Sequence, residues 1–123
     1  MAALANLRGI GAACHVYADD HGEQFPPDFQ ALLDGNYIVP KQLESPRHPP
    51  GMVAMVYVPG QSMSHDVRNI LAYEKPLDDE GVVALFIDGH VERMEPAEFR
   101  RALTNTYTRL NRLDELPPEF RAE

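Results

Sequence analysis

The sequence predicts an α+β fold: an N-terminal helix packed on a roughly four-stranded antiparallel sheet, with a short C-terminal helix. Three observations predict it. Apolar residues recur at helical spacing through residues 3–20. Residues 53–94 hold four short runs of β-forming residues separated by turn residues. Within them, Leu85-Phe86-Ile87-Asp88-Gly89-His90-Val91-Glu92-Arg93-Met94 places an Asp-Gly pair between an apolar run and an alternating one, the strongest short hairpin signal in the chain.

In the first helix, Leu4, Leu7, Ile10, Gly11, Cys14, Tyr17 and Ala18 follow the i, i+3, i+4, i+7 pattern. Arg8, His15, Asp19 and Asp20 lie off that stripe. At 1.5 Å per residue the segment spans roughly 27 Å. Gly9 and Gly11 weaken it by about 1 kcal/mol each relative to alanine, so the helix needs tertiary packing, and they mark where another backbone comes close. Gly22 suits its C-cap, and Pro26-Pro27 forbid continuation. Residues 28–34 read as a short helix, with Asp28 as N-cap and Gly35 as stop. Residues 40–51 carry Pro40, Pro46, Pro49 and Pro50 and read as an irregular connection.

Four strands follow, at Val53–Val58, Asn69–Glu74, Val82–Ile87 and His90–Met94. A loop at 59–68 joins the first two. A two-residue type I′ turn at Asp88-Gly89 sets Phe86 opposite Val91 and Leu85 opposite Glu92. Phe86, Val91 and Ala84 then form the face that receives the helix, seated by Leu4, Leu7, Ile10, Cys14 and Tyr17. Val82–Ile87 is apolar on both faces and reads as a central strand. Pro96 suits the first turn of a last helix at 96–103. Leu110, Leu113 and Leu116 continue a weak helical stripe. Residues 1–116 thus form one domain, and 117–123 a loose tail.

Composition narrows the function. The chain has 123 residues, enough for one core, and 11 Lys+Arg face 19 Asp+Glu for a net charge of −8. That argues against nucleic acid or an anionic membrane as a general partner, since both need a basic surface. Cys14 is the single cysteine, which excludes an internal disulfide and a Cys-rich zinc site. Its place on the apolar stripe makes it a buried, inert thiol. No run approaches the ~18 apolar residues of a membrane span. The chain opens directly inside a helical pattern, so either it starts there natively or something upstream has been removed.

Three stretches, taken in order, resemble a known family. They are Asn6-Leu7-Arg8-Gly9-Ile10-Gly11 running through His15-Val16-Tyr17-Ala18-Asp19-Asp20 to Phe25-Pro26-Pro27; Tyr57-Val58-Pro59-Gly60 with Leu71-Ala72-Tyr73-Glu74; and Leu85-Phe86-Ile87-Asp88-Gly89-His90-Val91-Glu92. Over roughly residues 5–95 the set resembles bacterial prepilin-like proteins of the type II secretion pseudopilin and type IV pilin class. The resemblance implies a long N-terminal helix whose first half anchors in the inner membrane and then packs in a filament, and whose second half lies on an antiparallel sheet. Residues 3–20 would be that second half, making this chain the soluble domain of a longer protein. Asp78 stands where relatives often carry a histidine, and Ser45-Pro46 where they often carry Cys-Pro.

Candidates for chemistry are few. Ser62, Ser64, His65 and Asp66 hold the residue types of a hydrolase triad, but adjacent residues in one loop rarely converge as a triad must. His15 and Asp19, one helical turn apart, can present two metal ligands. Asp78, Asp79 and Glu80, with Asp66, supply oxygen ligands of the kind calcium takes, and the resemblance favours that ion because major pseudopilins bind it. Asp88 and Gly89 serve the turn, and the best use of His90 is structural.

The leading expectation is therefore a non-enzymatic structural subunit. It would be the periplasm-facing domain of a pilin-like protein in the cell envelope, partnered by other pilin-like subunits or secretion machinery. It would touch the inner membrane only through a missing N-terminal segment. No cofactor is expected other than the calcium option. The alternatives are a soluble envelope module binding calcium or a peptide at loops 59–68 and 76–81, and a small hydrolase using His65 or His90.

Overall fold

The structure, a computed structural model, describes residues 2–76 and 81–121. Helix α1 (Ala2–Asp20) and helix α2 (Phe29–Asp34) come first, then a single 3-10 turn at Pro40–Leu43. Strands β1 (Met55–Tyr57), β2 (Ile70–Glu74), β3 (Val82–Phe86) and β4 (Val91–Met94) form a meander in that spatial order, every neighbouring pair antiparallel. Helix α3 (Pro96–Arg109) and two 3-10 turns, Leu113–Glu115 and Pro118–Phe120, complete the chain. The α+β class is the one the sequence pattern implies.

Local chemistry sets the element ends. Asp28 caps α2 by accepting from the Ala31 N–H at 2.9 Å. Pro96 opens α3, where its missing N–H costs nothing. Helix α3 runs six residues past the expected stop at 103, because Leu103, Thr106 and Tyr107 keep the apolar spacing against the sheet.

The sheet is covered on both faces, which a single expected helix layer did not anticipate. Alternate residues of a strand point to opposite sides. Val83, Leu85 and Ile87 therefore face α1, where Leu7, Ile10, Cys14 and Ala18 are buried, with Leu4 and Tyr17 packed at the margin. Val82, Ala84 and Phe86 face α3 through Phe99, Leu103 and Tyr107. A bulge between Ile70 and Ala72 turns Leu71 and Ala72 together toward the α1 side.

The hairpin register is one residue off the expected one. Leu85 pairs with Val91 and Ala84 with Glu92. The reason is the turn. The Gly89 N–H donates to the Phe86 carbonyl, and the Phe86 N–H to that of His90, both at 2.9 Å. Ile87, Asp88 and Gly89 make a three-residue connection in which Gly89 alone has a left-handed φ, +94°. That is a type I turn closed by a glycine bulge, not a two-residue type I′ turn. A one-residue slip exchanges faces. Phe86, expected beneath α1, instead joins the α3 core, while Val91 stays on the α1 side.

Helix α1 comes close to the sheet at Gly11, where a Cβ would sit 2.7 Å from Leu85 Cδ1 and 3.7 Å from Gly89 Cα. The His15 Nε2 adds a directed tie by donating to the Ile87 carbonyl at 2.8 Å. At the other end of the chain, residues 117–121 are not a loose tail. Phe120 is 7% exposed and meets Tyr73 and Phe99 edge-on, with centroids at 6.0 and 5.4 Å.

Two outcomes follow from this packing. Gly11→Leu forces a branched side chain onto buried Leu85 and will lower stability by about 2 kcal/mol or more. Gly9→Ala, whose Cβ meets only the end of the Gln42 side chain, will fall within about 0.5 kcal/mol of the parent; urea unfolding of both measures the contrast. Phe120→Ala will cost about 3 kcal/mol in the same assay, where a true tail would show no change.

Candidate functional site

Loop 59–68 does not assemble a hydrolase. The His65 Nδ1 accepts from the Ser62 N–H at 2.8 Å, and the Ser62 Oγ lies 2.8 Å from the Ser64 Oγ and 3.4 Å from that nitrogen. Asp66 turns the other way. Its carboxylate accepts from the Arg68 backbone N–H and, at 3.0 and 2.7 Å, from the Arg68 guanidinium. Those bonds, with Arg109 behind them, hold the Asp66 carboxyl well below the usual range. Nothing in this loop orients the imidazole for proton transfer from Ser62, which a triad requires.

The calcium candidates divide. Asp78, Asp79 and Glu80 lie outside the described residues. Asp66 gives its oxygens to arginines. The helix pair fares similarly as metal ligands, since the His15 Nε2 is engaged by a backbone carbonyl and Asp19 faces solvent. Among the described residues no group of three or more His, Cys, Asp or Glu side chains is arranged to hold a metal ion.

The hairpin tip carries a linked set. Asp88 accepts from the His90 N–H at 3.1 Å, so it holds the turn as expected. The His90 imidazole lies flat on Phe86, centroids 4.5 Å apart, and bridges two carboxylates, Asp88 at 2.5 Å and Glu92 at 2.7 Å. Both ring nitrogens must donate, so the geometry calls for the imidazolium. Partial burial opposes the charge at His90, yet Asp88 and Glu92 outweigh it and raise its pKa above the ordinary value. Burial likewise pushes the Asp88 carboxyl up, and its bonds to His90 bring it below normal. This is a turn clasp on a solvated edge.

Two buried polar clusters were not singled out in the sequence. In the first, Glu74 is 0% exposed at the end of β2, yet it is ionically paired. The Arg47 guanidinium donates to its Oε1 at 2.6 Å, the Ser45 hydroxyl donates to Oε2, and the His48 Nδ1 lies 3.7 Å from that oxygen. Burial pushes the Glu74 carboxyl up, but Arg47 and Ser45 pull it further down, to a net value below normal. The cluster pins the proline-rich connection to the sheet. In the second, Asn69 donates to the Gln61 Oε1 at 3.0 Å and accepts from the Arg109 Nε at 2.6 Å. The Thr106 hydroxyl accepts from the Ile70 N–H at 2.9 Å. That network locks loop 59–68 to β2 and α3. Its only sequence signal is a polar Asn69 heading an apolar strand.

Cys14 is fully buried under the sheet, and burial pushes its thiol up to about 12. It is inert, as its place on the stripe implies.

The outer side of α1 is exposed. Ala5, Arg8, Ala12, Val16 and Asp19 point to solvent, and Val16 is 52% exposed. Of the 19 residues of this helix only Arg8, Asp19 and Asp20 carry a full charge. No helix among the described residues is long and apolar enough to cross a membrane.

The Glu74 pairing predicts a pH dependence. A carboxyl depressed in the folded state stabilises the fold above its unfolded value, near 4.5, and that contribution disappears as pH falls through the lower folded value. Glu74→Gln will cost about 2 kcal/mol at neutral pH and will flatten the acid limb below pH ~4.5. Urea midpoints from pH 7 to pH 3 test both; an unchanged acid limb contradicts the assignment.

Compared with protein-family models, curated proteins and solved structures, the chain matches none.

Proposed function

We propose that this chain is a structural, non-enzymatic subunit of the cell envelope, the periplasm-facing domain of a pilin-like protein. Its partners are further pilin-like subunits or the secretion machinery they serve. The observation that carries the reading is α1. One side of the helix is seated on an antiparallel meander, and the opposite side sets small or apolar Ala5, Ala12 and Val16 beside two charged residues, Arg8 and Asp19. Small side chains allow helices to approach closely, so this side suits helix-to-helix packing between copies. The ordered resemblance of the N-terminal helix, the Tyr57–Gly60 and Leu71–Glu74 stretches and the Asp-Gly hairpin supports the same reading. The locked geometry of loop 59–68 favours structure over catalysis.

Cysteine cross-linking in the source cell tests it. In the full gene product, Val16→Cys places a thiol on the open side, while buried Cys14 stays silent as an internal control. A short bismaleimide will give a ladder of dimers and higher species in the envelope fraction. Monomer alone, or protein confined to the cytosol, overturns the proposal.

A further inference from the structure

A concavity lies on the opposite side of the sheet from α1. It is a groove of about 730 Å³ between the outward face of α3 and the C-terminal segment. Volumes of this size hold ligands or peptide side chains. On the helix side, Ala97, Arg100, Arg101, Thr104 and Asn105 recur at i, i+3, i+4, i+7 and i+8, one continuous face. The opposite face of α3 is buried in the core, so the groove is a second surface of the same helix.

The facing wall is apolar. Leu113 is 50% exposed there, beside the edges of Leu116 and Phe120. Arg121 fastens this wall by donating to the Leu116 carbonyl at 2.8 Å and the Asp114 carbonyl at 2.6 Å. The groove therefore has a fixed shape on both sides.

Its charge runs against that of the protein. The chain carries −8, yet three guanidiniums, Arg100, Arg101 and Arg121, line the groove against one carboxylate, Asp114. Arg100 and Arg101 make no ion pair or hydrogen bond with any described residue. The same holds for the side chains of Thr104 and Asn105. Guanidiniums with no partner among the described residues, set beside an apolar wall, fit an anion with an apolar body. The amide and hydroxyl along the helix add donors and acceptors that match a peptide backbone and have no use for an alkyl chain.

We propose that this groove binds an acidic peptide segment anchored by an apolar side chain. From 97 to 105 the helix face is about 12 Å long, which about four extended residues span. Carboxylates of the segment meet Arg100 and Arg101, its apolar anchor lies against Leu113 and Phe120, and its backbone meets Thr104 and Asn105. The inference stands independently of filament assembly.

The protein has no tryptophan, so a tryptophan in a peptide reports binding alone. The probe is acetyl-Asp-Glu-Trp-Leu-Asp-Glu-amide, and its comparator is acetyl-Lys-Lys-Trp-Leu-Lys-Lys-amide. The acidic probe will shift its emission to the blue and saturate, and the comparator will not. The exposed double variant Arg100→Glu/Arg101→Glu will weaken binding at least tenfold with Tm unchanged. Leu113→Asp will weaken it independently of the arginines, and Arg100→Gln/Arg101→Gln serves if the charge reversal disturbs folding. Equal affinity for both peptides, no saturable shift with the acidic probe, or indifference to the arginine variants overturns the proposal. So does preferential binding to phosphatidylglycerol vesicles, which assigns the groove to a lipid surface. Self-association in sedimentation that the arginine variants abolish gives it to a second copy and likewise overturns it.

Discussion

Burial of β3 on both sides is the constraint on which the rest of this molecule depends. Val82 through Ile87 are all buried, so the strand cannot be an edge and cannot have one face in water. Each face then needs its own cover. Helix α1 supplies one layer and α3 with the C-terminal turns supplies the other. The two cores share only the sheet, and a shift of β3 by one residue would exchange their contents. Gly89 sets that register, because its left-handed backbone closes the three-residue turn that side chains rarely tolerate.

The class and the order of elements were legible in the sequence. Helical spacing in 3–20 and the runs at 70–74 and 82–86 are strong periodic signals, and the structure follows them. The turn type was not legible, because Asp-Gly serves both a two-residue turn and the last two positions of a three-residue one. That ambiguity alone placed Phe86 on the wrong face. The extent of α3 was also hidden. Thr104, Asn105 and Thr106 are poor helix formers, and only the tertiary fit of Thr106 and Tyr107 to the sheet keeps the helix going. Phe120 was obscured by its neighbours, since two prolines and flanking charges read as a tail. A lone aromatic gives no periodicity to oppose that reading.

The polar interior was the least legible part. Glu74 ends an apolar strand, where a solvated carboxylate is the ordinary case. Its partners Ser45, Arg47 and His48 come from a connection about thirty residues away with no regular spacing. Gln61 and Asn69, from the connection between β1 and β2, meet Arg109 at the end of α3 in the same way. Both clusters tie an irregular segment to the sheet. They do by hydrogen bonds what apolar packing does for the helices, and a buried group left unpaired there is costly. Loop 59–68 therefore has residue types suggestive of chemistry while its geometry is that of a fastening.

The buried thiol has a consequence for how the molecule reports on itself. Cys14 lies between α1 and the sheet, with no exposure and almost no thiolate at neutral pH. An alkylating reagent can reach it only when that layer separates. Its modification rate in native buffer is then a clock for the opening of α1, read at a single atom. In an oxidising compartment the same shielding keeps folded copies from forming disulfides with one another, so any such adduct marks a molecule that had come apart.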